Sequence, residues 1–287
     1  MEVSTRQQLL DRGATDRAIR RAVDDGRLVR LRPGLFATAD VDEPTRAAAR
    51  IGARLACVSA LRSRGIWIPE PKMIHVEVPR SASHLPMSGP RIHWRRQPSR
   101  NPGGDLARVG VIDALIQASR CLPPLLWVAA IDSALHLGAI GRADLATIAS
   151  GAPSARRRMF RYVDARAESG LESIVRVLAC QLGFRVQSQV RIDGVGRVDL
   201  VVERWIAVET DGTAFHGVSL SARDRQRDSR LSARGMTTLR PGYVLVVFDQ
   251  KAVAEQLIGA VATHRRVKDA GHLAARARRR LARLDLS

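Results

Sequence analysis

Between residues 168 and 210 the sequence changes from a helical to a strand-like period, and this change constrains the fold more than any other feature. Residues 168–182 form an amphipathic pattern with apolar side chains three or four positions apart. Two dipeptides that favour tight turns, Asp193-Gly194 and Glu203-Arg204, then divide the chain into short alternating runs. Strands joined by such turns pair as hairpins. The predicted strands lie at 186–192, 197–202 and 205–210.

Further regular elements follow these strands. We predict a helix at 221–234, a strand at 244–248 and a helix at 251–261, which gives the order α-β-β-β-α-β-α. The last twenty residues add a basic amphipathic helix with an apolar stripe that includes Leu273 and Leu281. The sequence leaves open whether this last helix binds nucleic acid or packs on the protein.

Four carboxylates are placed to converge on these strands. Asp199 lies on the second strand, where its apolar neighbours point to the opposite face. Glu209 and Asp211 are two residues apart on the third strand and share a face. Pairing of the two strands brings Asp199 beside Glu209, and Glu172 on the preceding helix is within reach. Gln189 on the first strand adds a polar contact.

Converging carboxylates suit metal-dependent phosphodiester hydrolysis. A divalent metal activates water and stabilises charge on the phosphate, and Mg²⁺ or Mn²⁺ takes oxygen ligands. An ionised carboxylate on an apolar strand is costly unless it is paired or bound to metal. We therefore predict Asp199 and Glu209 as metal ligands, with Glu172 and Asp211 as further catalytic residues.

Two residues near the carboxylates are candidates for contact with the phosphate. Arg227 shares a helix face with Asp224 and Asp228, and this face points either to the carboxylates or to solvent. His216 follows the third strand and is a candidate general acid or base, because the unperturbed pKa of histidine lies near neutral pH. The alternative is structural, with the carboxylates neutralised by arginines such as Arg197 or Arg227.

The first forty residues predict a helix, a tight turn, a second helix and a hairpin. Ser4 is placed to cap the first helix, with a glutamine at capping-box spacing, and Thr15 is placed to cap the second. Arg32-Pro33-Gly34 joins two short runs, at 28–31 and 35–37, as a hairpin. This order is that of a winged helix-turn-helix.

Basic residues lie on the second helix and on the hairpin, where a winged helix meets the major groove and the flanking phosphates. The alternative is that these side chains only solvate a small helical domain. The predicted DNA-binding residues are Arg17, Arg20, Arg21, Arg27, Arg30 and Arg32.

Residues 44–152 predict an α+β region of unknown role. Its histidines lack helical partners at metal-binding spacing, and we interpret them as structural. The cysteines of the chain lie far apart in sequence, unlike those of a zinc site or a disulfide framework, and we interpret them as buried apolar side chains. The predicted helices lie at 47–64, 111–120, 125–137 and 142–148, and the strands at 73–79 and 91–95. The histidines interpreted as structural are His75, His84 and His93, and the cysteines interpreted as buried apolar side chains are Cys57, Cys121 and Cys180.

Charge narrows the class of partner. The chain of 287 residues carries 47 basic and 28 acidic side chains, a net charge of +19, which favours a polyanion such as nucleic acid. Nearly all the basic residues are arginines, so part of this excess is compositional. We find neither a secretory leader nor an apolar run of membrane-spanning length. The sequence therefore predicts a cytoplasmic protein without membrane association.

The carboxylate pattern resembles the PD-(D/E)XK nuclease superfamily, in the branch similar to Vsr-like endonucleases. Glu172, Asp199, the Glu209-Thr210-Asp211-Gly212 segment and His216 carry this resemblance. It implies a restriction-endonuclease-like α-β-β-β-α-β core. The superfamily usually has a lysine where this chain has Asp211, so the resemblance implies that His216 takes over the lysine's role.

Residues 4–38 resemble the winged-helix domain of AbiEi-type antitoxins of type IV toxin-antitoxin systems. The predicted protein is a multi-domain α/β chain that binds DNA and cleaves it with Mg²⁺ or Mn²⁺. The alternative is a non-enzymatic transcriptional repressor or antitoxin, with a cognate toxin as partner and a degenerate nuclease fold. The predicted divisions are 1–40 (winged helix-turn-helix), 44–152 (α+β), 165–262 (endonuclease-like) and 264–287 (basic helix).

Overall fold

The computed structural model describes residues 3–83, 88–95, 104–210, 222–264, 269–284 and 286. The chain divides into two compact units. Unit 1 comprises Met1–Cys121 and Ala143–Pro153, and unit 2 comprises Leu122–Arg142 and Ser154–Ser287. Among the described helices, none combines the length and the apolar character that are needed to cross a lipid bilayer.

The described helices are mostly short, and a 3₁₀ turn at Arg158–Tyr162 lies between the eighth and ninth. In chain order they are α1 (Arg6–Asp11), α2 (Asp16–Asp24), α3 (Glu43–Arg50), α4 (Cys57–Arg62), α5 (Val111–Ala118), α6 (Pro124–His136), α7 (Asp144–Gly151), α8 (Ser154–Arg157), α9 (Gly170–Leu182), α10 (Ala222–Ala233), α11 (Tyr243–Phe248), α12 (Gln250–Thr263) and α13 (Ala270–Leu281).

The described strands form three sheets, with the orders β1-β3-β2, β4-β5-β6 and β10-β9-β8-β7. The chain is therefore a mixed α/β protein. In chain order the strands are β1 (Val3–Thr5), β2 (Leu28–Arg32), β3 (Leu35–Thr38), β4 (Arg54–Leu55), β5 (His75–Val78), β6 (Arg91–Trp94), β7 (Val186–Ile192), β8 (Gly196–Val202), β9 (Ile206–Val208) and β10 (Thr237–Leu239).

Helix α1 begins one residue later than predicted, because Thr5 rather than Ser4 is its N-cap. The Thr5 hydroxyl accepts a hydrogen bond from the Gln8 backbone N–H at 3.1 Å, and the Gln8 side chain accepts one from the Thr5 N–H at 2.9 Å. This reciprocal pair is a capping box. Ser4 lies instead on β1, where it pairs with Phe36 of β3.

Helix α2 and the hairpin confirm the remaining secondary-structure predictions for the first forty residues. The Thr15 hydroxyl caps α2 by accepting from the Ala18 N–H at 3.2 Å. Strands β2 and β3 pair antiparallel and are joined at Gly34, whose φ of 76° favours a residue without a side chain. Two helices followed by a small sheet give the arrangement of a winged helix. Its buried core includes Leu31, Leu35, Ala37, Val41 and Ala49.

The helix predicted at 47–64 is wrong, since α3 and α4 are separate helices with β4 between them. The chain turns at Gly52, where φ is 70°, and β4 then pairs antiparallel with β5. Ala53, Leu55 and Ala56 are buried without being helical, so the apolar pattern imitates one continuous helix. Strands β5 and β6 occur as predicted and pair in parallel.

Helices α5, α6 and α7 confirm the helical predictions for the rest of the middle region. Helix α6 belongs to unit 2, although it falls within the predicted 44–152 region. It packs on α9, and the buried Asp132 of α6 pairs with Arg176 of α9 at 2.7 Å. The same carboxylate accepts a hydrogen bond from the Asp164 backbone N–H at 2.8 Å. These contacts hold α6 to α9.

In unit 2, α9 is followed by the antiparallel strands β7, β8 and β9, as predicted. The fourth strand differs from the prediction. It is β10, which pairs in parallel with β9, whereas the segment predicted as a strand at 244–248 lies within α11. Periodicity does not distinguish a strand from a helix in so short an apolar run. Here Gly242 provides the N-cap of the helix.

The C-terminal helix α13 packs on the protein. It contacts α9 and α12, and its Ala274 and Ala277 are buried. The Arg280 guanidinium lies where a side chain on Gly183 would stand, beside the C-terminal end of α9. Of the two possibilities that the sequence left open, the structure therefore supports a packing helix with an exposed basic face.

Candidate functional site

The winged helix presents one basic surface, which we define as the exposed arginines of α2, β2 and the turn between them. The opposite side of α2 is buried through Ile19 and Ala22. Arg27 pairs with Asp25 at 3.0 Å, in an exposed ion pair. All six predicted DNA-binding residues are exposed: Arg17, Arg20, Arg21, Arg27, Arg30 and Arg32.

The carboxylate site lies in unit 2, and its first member is the buried Glu172 in the first turn of α9. Ser169 caps this helix, because its hydroxyl accepts from the Glu172 backbone N–H at 3.0 Å. Glu172 Oε2 accepts from the Glu168 backbone N–H at 3.0 Å and from the Gln189 side chain at 2.8 Å. The predicted polar contact of Gln189 is therefore confirmed, and it is made with Glu172.

Glu172 is difficult to ionise. Burial, with a smaller contribution from the charge of Asp199, raises the pKa of its carboxyl group to about 7 against the hydrogen bonds from Glu168 and Gln189. The other carboxylate oxygen, Oε1, is buried and accepts no hydrogen bond from the described residues. The charge of Asp199 thus acts on Glu172.

Asp199 lies opposite Gln189 on the neighbouring strand. Ser188 pairs with Leu200 and Val190 with Val198, and Gln189 interrupts the ladder between them with a φ of 55°. The Asp199 carboxylate also ties β8 to the end of β9, since Oδ2 accepts from the Thr210 backbone N–H at 2.9 Å. Asp199 therefore bridges the two strands that carry the predicted metal ligands.

Glu209 is buried and neutralised by two arginines. Its Oε2 lies 2.8 Å from Arg240 Nη2, and its Oε1 lies 2.9 Å from Arg227 Nη2 without hydrogen-bond geometry. Arg240 also donates to Asp228 at 2.6 Å, and the hydrogen bond with Asp228 is the main reason why the pKa of Arg240 is raised. Glu209, Arg227, Asp228 and Arg240 form what we call the arginine cluster.

The arginine cluster corresponds to the structural alternative for the carboxylates. Arg227 pairs with Glu209 as that alternative required, whereas Arg197 pairs with Glu168 instead. Sequence reasoning missed Arg240, because the strand that precedes it was not predicted. Asp211 and His216 lie outside the described residues, and so does the side chain of Asp224.

A second cluster, in unit 1, corrects the interpretation of the cysteines and histidines. Cys57, His75, His93 and Cys121 come together, each offering one ligand atom, and these atoms lie within 4.8 Å of one another. Among the described residues they are the one group of three or more such side chains close enough to share a metal ion. Their spacing in sequence does not predict this cluster, because the four residues belong to four separate elements that meet only in the folded protein. His84 lies outside the described residues.

The thiols of this cluster influence each other's ionisation. Hydrogen bonding with Cys121, together with burial, raises the pKa of the Cys57 thiol. Hydrogen bonding with Cys57, and then with His75 and His93, lowers the pKa of the Cys121 thiol.

Comparison with known proteins gives a match at the N-terminus. A profile of the family described as "Transcriptional regulator, AbiEi antitoxin" matches residues 5–39, the winged-helix segment. No curated protein matches the chain. A crystal structure of the RV2827C protein from Mycobacterium tuberculosis is 20% identical, with a TM-score of 0.32, and the match covers 62% of this chain and 76% of that one. Its low TM-score supports no argument about this chain.

Proposed function

We propose that this protein is a DNA-binding regulator whose winged helix recognises duplex DNA through the basic surface. One observation carries this proposal: six exposed arginines lie on the second helix and the wing, within the segment that matches an antitoxin-type transcriptional regulator. Helix α2 is the element that would enter the major groove, and the wing arginines would contact the phosphates. Its apolar side is buried, so its basic side is available to DNA.

The test is the salt dependence of binding to duplex DNA from the region upstream of the protein's own gene, compared with unrelated duplex of equal length. Each phosphate contact contributes about −0.9 to the slope of log K against log salt concentration. We expect the triple variant R17A/R20A/R21A to bind more weakly and to lose roughly two to three units of that slope.

The matched control is R276A/R278A/R279A, which removes the same charge from exposed positions on α13. This control should keep most of the affinity. An equal loss in both triple variants would show that binding follows total charge rather than the winged helix, and it would overturn the proposal.

The family description also names an antitoxin, and a regulator of this class implies a toxin as partner. The test is co-expression with the product of the neighbouring gene. We expect this protein to relieve growth arrest caused by that product. If wild-type protein binds its DNA normally but does not relieve the growth arrest, the protein is a regulator without an antitoxin role.

A second candidate function is metal-dependent phosphodiester hydrolysis at the carboxylate site. It is favoured by the proximity of Glu172 and Asp199, and by the buried Glu172 Oε1, which accepts no hydrogen bond from the part of the chain that the structure describes. The α9-β7-β8-β9-α10-β10 order is that expected of the nuclease resemblance. Glu172 and Asp199 offer the oxygen ligands that Mg²⁺ or Mn²⁺ prefers. Glu209 does not fit that role as placed, because two arginines neutralise it.

This second function is tested by incubating plasmid DNA and short single-stranded DNA with Mg²⁺ or Mn²⁺. The variant Asp199→Ala should lose cleavage and Mn²⁺ binding, whereas Asp193→Ala, in an exposed turn beside the same sheet, should retain both. Purified wild-type protein that binds DNA but neither cleaves it nor binds Mn²⁺ would exclude the nuclease and leave the regulator.

A further inference from the structure

Four side chains that bind soft or borderline metals meet in unit 1, and each comes from a different element. Cys57 opens α4, His75 opens β5, His93 lies on β6, and Cys121 lies in the turn after α5. Cys57 and His75 are buried, and the other two are partly buried. The ligand atoms lie within 4.8 Å of one another.

The spacing of these atoms suits a tetrahedral ion. Zinc bonds of roughly 2.0 Å to nitrogen and 2.3 Å to sulfur place neighbouring ligand atoms about 3.3 to 3.8 Å apart. His75 Nδ1 lies 3.1 Å from His93 Nε2, and Cys121 Sγ lies 4.0 Å from His93 Nε2. All ligand atoms lie within 4.8 Å of one another, so the remaining distances need to close by at most about 1.3 Å to reach tetrahedral spacing.

The structure assigns Cys57, His75, His93 and Cys121 as a zinc site. Two thiolates and two imidazoles form one of the standard ligand sets of structural zinc, whereas Mg²⁺ and Ca²⁺ require oxygen. Four protein ligands fill a tetrahedral shell and leave no position for a substrate, so the site is structural rather than catalytic. The ion joins α4, β5, β6 and the end of α5.

Hydrogen bonds from the backbone N–H groups hold two of the four residues, Cys57 and His75, in place. The Gln117 side chain accepts from the Cys57 backbone N–H at 2.8 Å and donates to the buried Glu77 at 2.8 Å. The Ser59 hydroxyl accepts from the His75 backbone N–H at 2.9 Å. Cys57 is thereby kept at a φ of 49°, a conformation that non-glycine residues seldom adopt.

The competing explanation is a disulfide between Cys57 and Cys121, which are free thiols in the structure. A disulfide leaves the imidazoles of His75 and His93 outside the bond, held only by their mutual hydrogen bond at 3.1 Å. A metal ion uses all four groups at once. Zinc is therefore the better explanation of the complete cluster.

The test is the metal content of the purified full-length protein after growth in zinc-supplemented medium, measured by inductively coupled plasma mass spectrometry. We expect about one zinc per chain in the wild type. Cys57→Ser and Cys121→Ser should each lose most of it. Cys180→Ser is the matched control, since that cysteine lies in unit 2, and it should retain the zinc.

Because a cysteine variant that fails to fold would also lose zinc, a second measurement uses the wild-type protein alone. Wild-type protein stripped of metal and titrated with Co²⁺ should develop the visible absorption of a tetrahedral ion and a thiolate charge-transfer band. Absence of both zinc and this spectrum would overturn the proposal. So would zinc retained in both cysteine variants, or a Cys57–Cys121 disulfide found by mass spectrometry of the unreduced protein.

Discussion

Replacement of Glu172 by glutamine should stabilise the protein at alkaline pH. The substitution keeps an oxygen that can accept from the Glu168 N–H and from Gln189. The amide nitrogen takes the place of Oε1, which accepts no hydrogen bond from the described residues. The substitution therefore removes a buried charge beside Asp199 without removing a known contact.

The magnitude follows from the pKa of Glu172, which burial raises from an ordinary 4.5 to about 7. The difference corresponds to roughly 3 kcal/mol at about 1.4 kcal/mol per pH unit. The folded state holds the proton of Glu172 more tightly than the unfolded state does, so the protonated carboxyl group stabilises the folded state relative to the ionised one. This contribution is fully present below about pH 4.5 and is lost as the pH rises through about 7. Ionisation of Glu172 therefore lowers the free energy of unfolding of the wild-type protein by its full amount only above neutral pH.

The assay is urea unfolding of both proteins at two pH values. We expect Glu172→Gln to gain about 3 kcal/mol over wild type at about pH 8.5, and less than about 1 kcal/mol at about pH 5. Glu168→Gln, an exposed carboxylate paired with Arg197, is the control and should change stability by less than about 1 kcal/mol. The same stability difference at both pH values would refute the reasoning. Mn²⁺ that abolished the pH dependence of wild type alone would place a cation beside Glu172.

Three further substitutions test other contacts through the free energy of unfolding. Arg176→Met leaves Asp132 buried without its partner and should cost about 3 to 5 kcal/mol, whereas the double variant D132N/R176M should recover most of this loss. Thr15→Ala removes the N-cap of α2 and should cost about 1 kcal/mol, measured against Gln7→Ala on exposed α1. Arg240→Ala takes one of two partners from Glu209 and should cost about 1 to 3 kcal/mol, less than the fully buried pair because Arg240 is partly exposed. Additive losses in the Asp132 and Arg176 cycle, or unchanged stability on loss of Thr15 or Arg240, would contradict these assignments.

Local patterns predicted most of the elements that rest on near neighbours in sequence. Thr15 as a cap, the hairpin around Gly34, and the three strands after α9 follow from capping, turn and alternation rules that act over a few residues. The helix at 47–64 and the strand at 244–248 were wrong for a common reason. Each is an apolar run whose pattern does not fix its conformation: the chain turns at Gly52 in the first, and Gly242 begins a helix in the second.

The candidate sites likewise divide into contacts that local sequence patterns predict and contacts that they do not. The proximity of Glu172 to Asp199 was predictable, because one hairpin and one adjacent helix bring them together. Arg240 was not, because it follows a strand of only three residues. The Cys57 and Cys121 thiols are separated in sequence by two strands, β5 and β6, and by helix α5, so no spacing rule connects them. Only the folded structure of unit 1 shows that the two thiols lie close to His75 and His93.

The chain passes between the two units three times, after Cys121, Arg142 and Pro153. A single cut, whether by a protease or by a recombination event in the gene, therefore cannot release either unit complete. A fragment that begins at Ser154 would lack α6 and would leave Arg176 without its carboxylate. Evolutionary exchange of unit 1 as a whole would need three coordinated junctions, so the two units are expected to be inherited together.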